Sequence, residues 1–207
     1  GDYKSYIDNF YELFFSKFRN KKINLLEIGF RHGASLFLWS TYFKNGNILG
    51  LDNHSDLALK DNSYVKDWIS NQNIEIMICD AYNKKVSENI KRKFDFIIDD
   101  GPHTISSQIL SIKRYFSKLN QNGFFIIEDL IYGYFSCLAL LFFTPLSGEI
   151  KIYNFRKDKP GRDNMIFLIK NKKYNFYAIF KRIVILLHCL YKIPNELFYK
   201  FHKLKLN

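Results

Sequence analysis

The sequence predicts an α/β fold, a Rossmann-like doubly wound sheet that is mostly parallel and seven-stranded and ends in a C-terminal antiparallel hairpin. Three observations carry this. Short apolar runs alternate with helical stretches over the first two-thirds of the 207 residues. A glycine-bearing turn follows the first run directly, at Gly29 and Gly33. Acidic residues close the runs one after another, at Glu27, Asp52, Asp80, Asp99 and Glu128.

The opening reads as a helix, because Tyr6, Phe10, Leu13, Phe14 and Phe18 fall near helical spacing and a basic turn follows at 19–22. The apolar runs lie at 23–28, 48–52, 74–79, 94–99 and 124–128. Runs without polar alternation are the mark of parallel strands buried on both faces. Segments 35–43, 64–71, 84–92 and 106–119 supply the crossover helices, and right-handed crossovers make the sheet doubly wound. A further apolar helix is expected at 132–143. Two strands follow at 149–155 and 164–169, joined by a basic loop at 156–163, with no helix between them, which predicts the hairpin. The main domain therefore spans 1–170, and 171–207 forms a basic, aromatic, helical tail.

Composition narrows the class. Hydrophobic residues at 47% and charged residues at 25% are ordinary for a globular chain. Cys79, Cys137 and Cys189 are sparse and widely spaced, which reads as reduced thiols. With no secretory signal at the start, a cytoplasmic protein is expected, or one peripheral to the inner face of the membrane. The net charge is +11, and its excess lies from Lys151 onward, while the part holding the acidic motifs is close to balanced. The tail is open to three readings: packing on its own domain, packing against a second subunit in a homodimer, or lying on a membrane as an interfacial helix. Its apolar stretch is too short to span a bilayer.

The first turn, Gly29-Phe30-Arg31-His32-Gly33, lets the chain leave the strand sharply and start a helix close to a ligand. A dinucleotide fingerprint needs glycine where Arg31 stands, which argues against NAD or FAD. Glu27 would repel a phosphate but suits a positive amine, such as the amino-acid end of S-adenosylmethionine. Asp52, 19 residues after Gly33, is placed to accept both ribose hydroxyls. Asp80, followed by Ala81, is placed for the adenine amino group. The fourth and fifth strands end in Asp99-Asp100-Gly101-Pro102-His103 and Glu128-Asp129. Four carboxylates and an imidazole so gathered are costly without a cation, and hard oxygen ligands point to Mg2+. Such a cation lowers the pKa of an acceptor hydroxyl, and His103 is suited to take its proton. The bland alternative is that Asp100 and Asp129 cap turns and His103 holds a loop.

The stretch from Leu26 to Leu36 with Trp39, the run Ile98 to Thr104 and the run Gly123 to Leu130 resemble the macrocin and mycinamicin sugar O-methyltransferases. They are also similar to the cephalosporin-hydroxylase-like methyltransferase group, over about residues 3 to 135. The resemblance implies a class I methyltransferase fold, S-adenosylmethionine as donor and often Mg2+. By position it implies donor contacts from Glu27, Gly29, Gly33, Asp52 and Asp80, and Arg31, Ser35, Ala81 and Asp99 are expected to join them. It implies metal ligation by Asp99 or Asp100 with Glu128 and Asp129, and catalytic roles are expected for His103, Asp100 or Tyr132. Macrolide-sugar members carry a histidine two residues after the Glu-Asp pair. Here Ile131 stands there, followed by Tyr132-Gly133-Tyr134, so the base is left between His103 and Tyr132.

The leading reading is thus a methyltransferase for a small polar acceptor, in surface-polysaccharide or secondary-metabolite biosynthesis. The acceptor is a sugar hydroxyl, a nucleotide or lipid-linked sugar, or a phosphorylated amine. A nucleic-acid methyltransferase is the alternative that the charge favours, but the fourth strand lacks the Asn/Asp-Pro-Pro-aromatic motif of base methylation. A non-catalytic donor-binding relative is the third reading.

Overall fold

The computed structural model describes residues 7–53, 73–156, 164–173 and 176–204. The helix expected at 64–71 and most of the basic loop at 156–163 lie outside them. Seven strands form one sheet: β1 (Ile23–Ile28), β2 (Gly46–Asp52), β3 (Ile74–Ile78), β4 (Phe94–Asp99), β5 (Leu119–Ile127), β6 (Gly148–Asn154) and β7 (Met165–Asn171). Their order is β3-β2-β1-β4-β5-β7-β6. The first five are parallel, and β7 runs antiparallel to both β5 and β6. The expected mostly parallel sheet with a terminal antiparallel hairpin is therefore the observed one.

The strands alternate between two buried layers, as period-2 geometry requires. Leu26, Ile28, Ile97, Phe125, Ile127, Phe167 and Ile169 face one layer. Leu25, Phe96, Ile98, Phe124, Ile126, Ile166 and Leu168 face the other. The helices divide accordingly. Short helical turns at Ile7–Glu12, α1 (Leu13–Phe15) and Ser16–Phe18, together with α2 (Ala34–Tyr42), cover the second layer. The first layer is covered by α4 (Ile105–Tyr115), α5 (Tyr134–Phe143) and α6 (Phe176–Leu204), and the short α3 (Lys84–Asn89) precedes β4.

Aromatic rings fill the layer under α1 and α2. Phe15 is fully buried, with its ring centroid 4.7 Å from Phe96, 5.2 Å from Phe43 and 5.5 Å from Trp39. Such tilted and edge contacts add to the area term of the hydrophobic effect. The N-terminal turns are thereby fixed against the sheet, which later matters for Tyr11.

Several boundaries differ from the sequence expectation for local reasons. β5 starts at Leu119, five residues early: Asn122-Gly123 reads as a turn, but here Asn122 takes a positive φ of 66° inside a strand whose pairing shifts between Phe94 and Phe96. α3 stops at Asn89 because Ile90 is extended. α5 starts at Tyr134, because Gly133 turns the chain at a φ of 59°.

α6 docks on α5 and β6. Cys189 is fully buried, Ile185, Leu186 and Ile193 pack beside it, and the His188 ring meets Tyr134 edge-on at 5.3 Å. Arg182 donates to the carbonyls of Thr144, Pro145 and Gly148, closing the end of α5 where carbonyls lack helical partners. Lys181 donates to Glu149 at 2.7 Å, and Lys172 pairs with the same carboxylate.

Truncating Phe15 to alanine should cost about 3–5 kcal/mol of unfolding free energy in chemical denaturation, because its five aromatic neighbours cannot collapse into the void. The Glu149 carboxyl is lowered from the usual 4.5 to about 2, first by the hydrogen bond from Lys172 and then by that from Lys181. A depressed carboxyl stabilises the fold above its unfolded value and loses that contribution as pH falls toward the folded one. Thermal stability should therefore fall as the pH drops from about 4.5 to about 2, and Glu149→Gln should flatten that slope.

Candidate functional site

In a doubly wound sheet, ligands bind where the strand order reverses, outside the carboxyl ends. Here that point lies between β1 and β4. A cleft of about 450 Å3 opens there, within the roughly 300–1,000 Å3 of small-molecule sites. Gly29, Arg31, Asp52, Asp80, Ala81, Asp100, His103 and Asp129 of the expected site residues line it, and Asn53, Tyr82 and Gly101 join them.

Two glycines shape the turn after β1 for different reasons. At Gly29, with a φ of 85°, a Cβ would come within 2.3 Å of the Asp100 carbonyl oxygen, because the loops after β1 and β4 touch there. At Gly33, with a φ of 80°, a Cβ would meet nothing within 4 Å, so the requirement is conformational. Between them Arg31 takes a φ of 49°, and its N–H donates to Asp52 Oδ2 at 2.8 Å. The carboxylate at the end of β2 is thereby tied to the turn after β1. Ser35 lies in the first turn of α2, and neither it nor Gly33 reaches the cleft wall.

The five acids do not all reach the cleft: Asp52 and Asp80 line it, and Glu27, Asp99 and Glu128 do not. Glu27 shares its parity with Leu25, and Glu128 with Ile126, so both turn toward the layer under α1 and α2. Asp99 shares its parity with Ile97 and turns toward the opposite layer. All three are at most 2% exposed. A tyrosine covers each of two. Tyr11, from the N-terminal turns, donates its hydroxyl to Glu128 Oε1. Burial, followed by the Glu128 charge, pushes the Tyr11 phenol well above its usual value, which keeps the donor protonated. Tyr82 donates to Asp99 Oδ1 at 3.0 Å, and the Gly101 N–H donates to the same oxygen at 3.3 Å. Burial raises the Asp99 carboxyl, and hydrogen bonds from Ser111 and Tyr82 oppose that rise.

The residues one step beyond the strands turn outward instead. The Asp100 and Asp129 carboxylates each approach His103 Nε2 to 3.8 Å. Each of the three offers an atom within 4.8 Å of the others, close enough to hold a metal ion. His103 and Asp129 have positive φ values of 58° and 53°, as does Arg31. Of the four non-glycine residues with positive φ among the described ones, three line this cleft. Strained backbone held by its surroundings collects at functional sites.

The geometry changes the expected division of labour. Asp99 and Glu128, expected as metal ligands with Asp129, lie beneath the surface, where Asp99 Oδ1 accepts from Tyr82 and Glu128 Oε1 from Tyr11. Asp100 and His103 stand beside Asp129 in their place. Tyr132, expected as a catalytic group, sits half-exposed in the turn before α5, away from the cleft wall. Asp80 uses one carboxylate oxygen to accept from the Tyr82 N–H at 2.9 Å, which braces its own turn. Tyr11 and Tyr82 were not visible in the sequence as site residues, since through-space packing alone brings them to the acids.

No family model matches the chain. Among curated proteins it is similar to mycinamicin VI 2''-O-methyltransferase of Micromonospora griseorubida, 30% identical over 134 residues, covering 60% of this chain and 31% of that protein. It is also similar to demethylmacrocin O-methyltransferase of Streptomyces fradiae, 29% identical, with the same coverage of 60% and 31%. The chain thus spans about a third of the length of these relatives. Among solved structures it shares its fold with the MycE methyltransferase of the mycinamycin biosynthetic pathway, solved with Mg, SAH and mycinamycin VI. The TM-score is 0.60 at 21% identity, covering 81% of this chain and 50% of that one. The fold is the Rossmann-like fold of class I methyltransferases.

Replacing Gly29 by alanine should destabilise the chain by about 1–3 kcal/mol, because it adds backbone strain at a positive φ to a clash with backbone. The Gly33→Ala change meets open space and should cost less in the same denaturation series.

Proposed function

We propose that this chain transfers a methyl group from S-adenosylmethionine to a hydroxyl of a small glycosylated acceptor. One observation carries the reading. The cleft at the β1/β4 reversal has Asp52 and Asp80 at one end and the Asp100–His103–Asp129 group at the other. Its relatives named as sugar O-methyltransferases support the acceptor class.

The donor fits the first end. Asp52, fixed by the Arg31 N–H, is set for the ribose hydroxyls, and the absence of a glycine at 31 leaves no cradle for a pyrophosphate. Glu27, the acid expected at the methionine amine, lies two residues before Gly29 of the cleft wall and is itself buried. Ala81 gives the adenine an apolar wall.

The acceptor fits the second end. Asp100 and Asp129 supply hard oxygens that suit Mg2+, and the cation, when bound, polarises the acceptor hydroxyl. His103 Nε2 lies 3.8 Å from each of the two carboxylates, which orient its ring for taking a proton. The hydroxyl oxygen attacks the methyl carbon, the S–CH3 bond breaks with its electron pair passing to sulfur, and the hydroxyl proton goes to His103. The products are the methyl ether and S-adenosylhomocysteine. The described residues place no second imidazole on the cleft wall, which favours His103 over Tyr132 as base.

Calorimetric titration of S-adenosylmethionine and S-adenosylhomocysteine, with Mg2+ and with EDTA, tests the donor half. Micromolar binding is expected in both, and no binding in either would sink the reading. Rhamnosyl and other deoxysugar conjugates are the first acceptors to assay. His103→Ala should then lower turnover by about 10²–10⁴-fold while donor affinity stays nearly unchanged. Equal losses of turnover and donor affinity would assign His103 a structural role instead.

A further inference from the structure

We propose that the outer face of α6 is a binding surface for an anionic lipid bilayer. The surface lies away from the cleft, and the proposal does not rest on the catalytic reading. α6 carries two apolar faces, and the fold uses one. Ile185, Leu186, Cys189 and Ile193 pack into the core with Arg182 closing α5. On the opposite side Tyr177, Phe180, Val184, Leu187 and Tyr191 recur at alternating spacings of three and four, with Ile183 and Leu190 alongside. Each of these seven is between 49% and 69% exposed. A continuous apolar stripe on solvent is costly, and on a helix already docked it has no role in the fold.

Three features say what covers it. The segment 171–207 holds seven Lys and one Arg against the single Glu196. A second copy of this chain would face cations with cations, since a two-fold contact sets the same patch against itself. An anionic surface has the complementary charge. A cation also sits where an interfacial helix needs one: Lys192 Nζ lies 5.5 Å from the Tyr191 ring centre at the flank of the stripe, while Lys181, beside Tyr177, is paired with Glu149. A lysine at such a flank extends toward headgroups while its stem lies on apolar surface. Tyrosines near both ends of the described stripe have the apolar body and polar tip of residues at a membrane–water boundary. Among the described residues no helix is long and apolar enough to cross a membrane, so the helix would lie in the interface plane.

The test is co-sedimentation of the full chain with vesicles of phosphatidylcholine alone and with phosphatidylglycerol added. Binding is expected to the anionic vesicles only, and to weaken as salt rises. The double variant Val184→Glu, Leu187→Glu should bind at least about tenfold more weakly. Both side chains are exposed, so its thermal midpoint should match the parent chain and report intact folding. Failure to bind anionic vesicles, binding unchanged in the variant, or a concentration-dependent dimer that the variant disperses would each overturn the proposal. Failure of donor binding in the cleft would leave it standing.

Discussion

The site depends on how carboxylates are buried at the edge of a sheet that is covered on both faces. Glu27, Asp99 and Glu128 end three neighbouring strands, and all are out of water. Unpaired, such charges would oppose folding strongly. The fold meets this with hydroxyls from opposite sides, Tyr11 on Glu128 and Tyr82 on Asp99. Tyr11 reaches its partner only because the N-terminal turns are pinned by the aromatic layer around Phe15 and Phe96. Core packing and site electrostatics are therefore one system. The acids one residue later, Asp100 and Asp129, line the cleft itself.

Much of this was legible in the sequence. Five apolar runs, the glycine turn and the acids that close the runs give the sheet, its direction and the edge that carries the cleft. The hairpin followed from two strands lacking a helix between them. The distribution of acids between cleft and interior was the less legible part. A motif places Asp99-Asp100 and Glu128-Asp129 as pairs, yet in each pair the first residue continues the strand's alternation into a buried layer, while the second lies past the strand's end, where the chain turns to the cleft. Parity counted back to Leu25, Ile97 and Ile126 contained that signal. Tyr11 had none, because its contact with Glu128 spans 117 residues of sequence. The extension of β5 through Asn122-Gly123 was hidden for a related reason: pairing with β4 overrides a local turn preference.

The C-terminal third adds structure of a different kind. β6, β7 and α6 complete the layer over α5, and Glu149, Lys172, Lys181 and Arg182 join them through ion pairs and carbonyl contacts. α6 spans 29 residues, and over its described side chains one face packs on the core while the other stays apolar and exposed beside Lys192. A chain spanning about a third of its curated relatives' length thus combines a methyltransferase-type sheet with a second surface of distinct chemistry.

The most direct measurement is a crystal structure of the chain with S-adenosylhomocysteine and Mn2+, read by anomalous scattering. The account predicts ribose hydroxyls on Asp52 and an anomalous peak between Asp100 and Asp129, with Glu128 still bonded to Tyr11. A nucleoside bound away from the β1/β4 reversal, or an ion held by Asp99 and Glu128 after Tyr82 and Tyr11 have swung away, would contradict it.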